Sequence, residues 1–157
     1  MHSKIYQITK KELTRDEYLT SSDFDEVNIS DFADYTDDID EDEEEDAMKR
    51  LDCTLRGVFT REGRVLTYQG ADGFVSDWIS GIKSRVAQLN PDTVKNWMEM
   101  WKMKQLFEDT HREANERFSY DGSCTDAEPL GDFIREVYIN AKPGDKFYIG
   151  GIVDFHI

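Results

Sequence analysis

Apolar and polar residues alternate at Lys4 to Thr9, where Ile5, Tyr6 and Ile8 stand among polar neighbours, and this predicts a short strand. Thr14 and Glu17 match a capping box, in which hydroxyl and carboxylate each satisfy one free amide, so a short helix is expected near Arg15 to Thr20. Phe24, Val27, Phe32, Tyr35 and Ile39 then recur at offsets that keep them near one helical face. Ser22 and Ser30 are candidate N-caps there, which favours two short helices over one. Asp37 to Asp46 contains nine carboxylates and one isoleucine. Read alone, such a run buries too little apolar surface to offset ordering entropy, so it is expected to be mobile or solvent-facing.

The texture changes after Leu51. Leu51 to Thr60 and Arg64 to Gln69, joined across Gly63, read as a β-hairpin. Asp72 can cap a helix whose stripe is Phe74, Val75, Trp78, Ile79, Ile82, Val86 and Leu89. Asn90-Pro91 ends it and opens a second long helix, to about Arg112, with Asn90 as cap and Pro91 at the first helical position. That helix carries Val94, Trp97, Met98, Met100, Trp101, Met103, Leu106 and Phe107, more than one stripe. It is therefore expected to be buried on two sides, between sheet and another helix, or to keep one side for a partner. Phe118 to Glu128 reads as a loop, Pro129 to Asn140 as a third, shorter helix, Lys142 to Asp145 as a turn, and Lys146 to Ile157 as a strand bulged at Gly150-Gly151. The sum is one α+β domain over 1–157, a small antiparallel sheet (N-terminal strand, hairpin at about 51–69, C-terminal strand) packed against two long helices and a shorter one, with an acidic, partly helical insertion at 16–48.

Charge changes this picture in one place. The chain of 157 residues has 34 acidic and 19 basic side chains, a net charge of −15. Asp16 to Met48 holds 16 acids and no base, so 34 − 16 = 18 acids face 19 bases elsewhere. A concentrated negative field attracts basic proteins and repels nucleic acid and anionic membranes. Direct nucleic-acid and membrane binding are thus disfavoured. No apolar run suggests a signal peptide or membrane span, and a cytoplasmic setting is the expectation. Cys53 and Cys124 have no CxxC or CxxH spacing and are expected to be ordinary thiols.

The motifs of catalysis and metal binding are incomplete. Asp38, Asp40 and Asp42 alternate like the opening of a calcium loop, but the sixth and twelfth positions, which need Gly and Glu, are Glu43 and Lys49. The histidines are His2, His111 and His156; Asp109-Thr-His-Arg-Glu113 lacks the second histidine of HExxH, and nothing resembling a nucleophile elbow surrounds Ser119, Ser123 or Cys124. Neither Gly70-x-x-Gly73 nor Gly150-Gly151 is a phosphate loop. No cofactor or metal is expected.

The favoured expectation is a non-catalytic interaction protein whose acidic stretch docks on a basic protein surface, in its sharpest form a mimic that occupies a DNA- or RNA-binding protein. Carboxylates four residues apart on a helix lie about 6 Å apart along the axis, comparable to neighbouring phosphates. The candidate partner-binding residues are Asp23, Asp25, Asp31, Asp34, Asp37, Asp38, Asp40, Glu41, Asp42 and Glu43. Two alternatives stand beside it: a small-ligand domain or enzyme with a pocket between the sheet and the Trp97/Trp101 helix, and a subunit that self-associates through Trp97, Met100, Trp101 and Met103.

Overall fold

The computed structural model describes residues 2–24, 29–105, 110, 112, 115–121 and 127–156. Among them, seven strands form one mixed sheet and helices cover it, an α+β fold. The strands are β1 (His2–Thr9), β2 (Tyr35–Asp38), β3 (Phe59–Glu62), β4 (Val65–Tyr68), β5 (Arg117–Tyr120), β6 (Glu128–Pro129) and β7 (Lys146–His156). The helices are α1 (Glu41–Thr54), α2 (Asp72–Ala87), α3 (Pro91–Lys95), α4 (Trp97–Gln105) and α5 (Leu130–Asn140).

The long strand β7 is the spine. β1 runs antiparallel along one side of it, and β4 and then β2 share the other side, giving the order β3-β4-β7-β1-β5-β6 with β2 added on β7. β1 pairs with β5 in parallel, so the sheet is mixed where a purely antiparallel one was expected. Period-two alternation sorts the side chains onto two faces. Tyr6 and Ile8 of β1, Phe118 of β5 and Phe147, Ile149 and Ile152 of β7 enter the main core beneath α1 and α5. There Phe133 of α5 stacks on Phe118, their rings 4.4 Å apart and 7° from parallel. Ile5, Val153 and Phe155 point the other way and are covered by Leu19, Phe24 and Ile29, with Phe32 packed alongside. The acidic segment is thus the second layer of the fold.

Several elements depart from the expectations. The amphipathic helix expected over Asp23 to Ile39 is not continuous: among the described residues Ser21–Asp23 is a 3₁₀ turn, as is Arg15–Glu17 before it, Ile29 is helical and Tyr35–Asp38 is β2, while residues 25–28 lie outside the described residues. A helix would have turned the segment's backbone hydrogen bonds on itself, whereas β2 uses them to extend the sheet along β7. Glu41 to Asp46 is the exposed start of α1, a helix anchored downstream by buried Ala47, Met48 and Leu51. Leu51 to Thr54 is therefore helical, and the hairpin begins at Phe59. The helix expected over 91–112 is interrupted at Asn96, whose carboxamide accepts the amide of Met98 at 3.0 Å; the residue starts α4 instead of continuing α3. The part beyond Gln105 that holds Leu106, Phe107 and His111 lies outside the described residues, as do Asp25, Val27 and Cys124. The loop expected at Phe118 is β5, which is short, only four residues, and has a buried centre.

The expected bulge in β7 is present. Tyr6 pairs with Ile152 but Ile8 pairs with Ile149, so β7 carries one extra residue at Gly150-Gly151. Gln7 sits opposite. Its Oε1 accepts the amides of Gly151 at 2.7 Å and Leu19 at 3.0 Å, and its Nε2 donates to the carbonyl of Glu17 at 3.1 Å. A Cβ on Gly151 would run into the Leu19 carbonyl and come within 2.6 Å of its amide nitrogen. Gly151→Ala must push the 15–20 segment off the sheet, and should lower stability by about 2–3 kcal/mol, read as a fall in the urea midpoint. An unchanged midpoint would show that this close approach is not needed.

Candidate interaction surface

The candidate carboxylates start from three local devices. Asp23 closes a capping box by accepting the amide of Thr20 at 2.7 Å. Asp38 accepts the amide of Ser21 at 2.6 Å, which ties β2 to the second 3₁₀ turn. Asp40 caps α1: it accepts the amide of Glu43 at 2.9 Å, and the Glu43 carboxylate accepts the amide of Asp40 at 3.2 Å. Carboxylates in the first turn of α1 also lie at the positive end of the helix dipole, which stabilises each by roughly 0.3–1 kcal/mol. Part of the acidic pattern is thus the ordinary chemistry of a helix start.

From Asp31 to Asp46 the chain holds eleven carboxylates. Four have a cationic or histidine partner: Asp34 lies 3.7 Å from His156, Glu44 pairs with Arg64, and Glu45 and Asp46 share Lys49 at 2.9 and 3.2 Å. The other seven, Asp31, Asp37, Asp38, Asp40, Glu41, Asp42 and Glu43, are exposed and make no ion pair among the described residues. They form an acidic ridge that starts at the turn of Asp31, runs along β2, where Asp37 and Asp38 point to opposite faces, and crosses the Asp40 cap onto α1. Only its α1 end has helical spacing; Asp37 and Asp38 are adjacent on a strand, where the sequence had implied a helix.

The ridge is framed from below. Phe32 meets Phe155 edge to face at 5.4 Å, and the guanidinium of Arg117 lies over the Phe32 ring at 4.6 Å. Burial holds the Arg117 guanidinium below its ordinary range. Tyr35 stacks on His156, and the Asp34 amide donates to the His156 carbonyl at 2.8 Å. Arg64 fills the gap between β4 and β2 along β7: it donates to the Gly150 carbonyl at 2.6 Å, pairs with Glu44 and lies over the Tyr18 ring at 4.9 Å. One side chain therefore joins hairpin, bulge, helix α1 and the acidic segment, a role that no local pattern in the sequence announces.

β1 and β7 share a buried ion pair, Lys4 Nζ to Asp154 Oδ1 at 2.9 Å, joined by His2 at 2.6 Å from Oδ2. Burial disfavours the charged Asp154 carboxylate, but hydrogen bonds from Lys4 and then His2 outweigh it and hold the group below the usual aspartate range. A depressed carboxyl contributes stability that is complete above the unfolded-state value, about 3.9, and is lost as pH falls through the lower folded value. Stability should therefore fall below about pH 4, and Asp154→Ala, which leaves Lys4 buried without its carboxylate, should cost about 3–5 kcal/mol at pH 7 and flatten that acid limb of the pH profile. A variant with parental stability and an unaltered acid limb would remove the pair from the account.

The residues of the alternative readings are spread over the fold. His2 and His156 stand together at the sheet end, rings 5.1 Å apart, each beside an aspartate. Among the described residues no three His, Cys, Asp or Glu side chains are placed to hold a metal ion. Cys53 is exposed on α1, with Arg56 Nη2 3.9 Å from its sulfur. A groove of about 370 Å³ lies along α2, lined by Asp72, Val75, Ser76, Ile79, Ser80 and Lys83. Trp97 and Trp101 are exposed, and α1 and α5 cover the core face of the sheet. Met100 and Met103 are half-buried on α4. No described helix is long and apolar enough to cross a membrane.

No protein-family model, curated protein or solved structure matches the chain. The site is therefore read from its own geometry. If β2 frames the ridge, the amides of Tyr35 to Asp38 that face β7 and those of Met48 to Thr54 should exchange far more slowly than those of Glu41 and Asp42, in the free first turn of α1. Rapid exchange throughout Tyr35 to Asp38 would leave the carboxylates without a frame.

Proposed function

We propose that the chain is a non-catalytic interaction module whose acidic ridge docks on the basic surface of another protein, and that the natural class of partner is a DNA- or RNA-binding protein whose nucleic-acid site the ridge occupies. The observation that carries this reading is the set of seven carboxylates, without an ion pair among the described residues, on a turn at Asp31 and on a strand, a cap and a helix start that follow it. A mobile acidic tail loses conformational entropy when a partner orders it; a framed ridge has already lost it, so more of the electrostatic attraction appears as affinity. Opposite charge would also steer the encounter and make it salt-dependent. Glu41, without an ion pair among the described residues, and Glu45, which shares Lys49, stand at i and i+4 on α1 and repeat at about 6 Å, a spacing that basic side chains arranged for phosphates can meet.

The test uses a panel of purified basic DNA- and RNA-binding domains, titrated with the full chain and with a variant carrying Asp37→Asn, Asp38→Asn, Glu41→Gln and Asp42→Asn. These substitutions spare the Asp40–Glu43 capping box, and the carboxamide introduced by Asp38→Asn keeps an oxygen to accept the Ser21 amide. The expected result is binding to some members that weakens steeply with salt, is displaced by duplex or single-stranded nucleic acid, and drops by at least about 10-fold in the variant, or about 1.4 kcal/mol. Equal binding by parent and variant, or binding to the panel that nucleic acid does not displace, would overturn the reading.

A further inference from the structure

Of the ten large apolar side chains exposed among the described residues, seven lie between Ile79 and Trp101. The stripe of α2 begins in the core with Phe74 and Trp78, then continues off the body through Ile79 and Val86 to Leu89, and Val94, Trp97, Met98 and Trp101 follow on α3 and α4. Trp97 is 70% exposed, Val94 58% and Trp101 46%. Together these seven exposed side chains present on the order of 700 Å² to solvent, close to the roughly 800 Å² that each partner contributes to a standard interface. Exposed apolar side chains on that scale mark a binding face.

We propose that this arm is covered by a second copy of the chain, with α4 packed antiparallel on its counterpart across a local two-fold at Glu99. Trp97 and Trp101 are four residues apart, so they lie on one face of the helix, and each is two residues from Glu99. An antiparallel two-fold through that level sets Trp97 of one copy against Trp101 of the other, twice, which is the self-complementarity that a closed dimer requires. Glu99 itself is about 200° around the helix from Trp97, so the two-fold does not press like charges together. Met98 and Met100 flank the tryptophans and supply adaptable contacts.

Charge is the opposing term: five bases against two acids leave the arm a net 5 − 2 = +3, so two copies repel here and the pairing rests on apolar contact. Residues 79–105 contain five bases, Lys83, Arg85, Lys95, Lys102 and Lys104, and two acids, Asp92 and Glu99, each neutralised within its own helix by Lys95 at 3.1 Å and Lys102 at 3.5 Å. Two copies that meet through this arm avoid pressing their ridges together. The arm of one copy on the ridge of another would match in sign, but the ridge is carboxylate-rich and offers little apolar surface to the tryptophans. That arrangement would dissolve in salt, whereas apolar pairing would not.

Sedimentation velocity of the full chain, from about 1 to 100 μM at about 0.15 and 0.5 M salt, distinguishes them. The expected result is a reversible dimer at both salt concentrations, with tryptophan emission moving to longer wavelength on dilution through the dimer midpoint. Trp97→Gln and Trp101→Gln should each raise the dimer Kd by at least about 30-fold with unchanged far-ultraviolet circular dichroism, while Glu99→Gln should change it by no more than a few fold. The proposal fails if the chain is monomeric throughout, if the dimer is lost at the higher salt, if it is indifferent to both tryptophan substitutions, or if a monomeric chain instead sediments with anionic vesicles through the same tryptophans.

Discussion

The clasp between Gln7 and the bulge of β7 is the interaction on which the rest depends. A mixed sheet whose central strands are apolar on both faces needs two covers, and α1 and α5 supply only one. The other is the 15–33 segment, whose composition argues against folding by itself. Gln7 holds it by directing one carboxamide to two amides and a carbonyl, while Gly151 lets the chain approach more closely than any side chain would permit. Leu19, Phe24 and Ile29 then reach Ile5, Val153 and Phe155, and apolar burial supplies what the carboxylates cannot.

Once that cover is seated, β2 has a place beside the end of β7, and the acidic ridge is positioned. The ridge is costly in repulsion, and the fold offsets the cost at its flanks: Arg64 takes Glu44, Lys49 takes Glu45 and Asp46, and the α1 dipole and caps favour the charges at the helix start. The middle is left bare. Such an arrangement suits a surface that meets positive charge from outside, since the carboxylates are spaced by backbone hydrogen bonds and not by counter-charges that a partner would first displace.

The helical arm follows a different logic. Its periodicity is that of a buried helix, yet the face of the sheet that could bury it is full, and Asn96 breaks the run before it becomes one long element. The apolar stripe is continuous with the core at Phe74 and uncovered at Trp97. The chain thereby separates two kinds of surface, one charged and framed on the sheet, the other apolar and carried on helices.

How much of this was legible follows from the range of the forces involved. Features that depend on near neighbours could be read directly from the chain: the alternation of β1, the hairpin turn at Gly63, the capping box at Thr14, the apolar stripe of α5, the Gly150-Gly151 bulge and the concentration of charge before Met48. The same pattern showed that Phe24 and Phe32 belong inside, because a large apolar residue among carboxylates has no other reason to recur. What they pack against was settled by the assembled sheet, since Ile5 and Phe155 are far away along the chain. Tyr35 to Asp38 became a strand because β7 had an open edge, and local periodicity cannot register a distant edge. Glu41 to Asp46 became helix because Ala47, Met48 and Leu51 anchor the turns that follow; a window closed at Asp46 sees only charge. Arg64 and Gln7 were invisible for the same reason, as their partners are assembled from three separate stretches of chain. Local pattern fixes which residues seek burial, and the sheet, once formed, fixes where that burial is available.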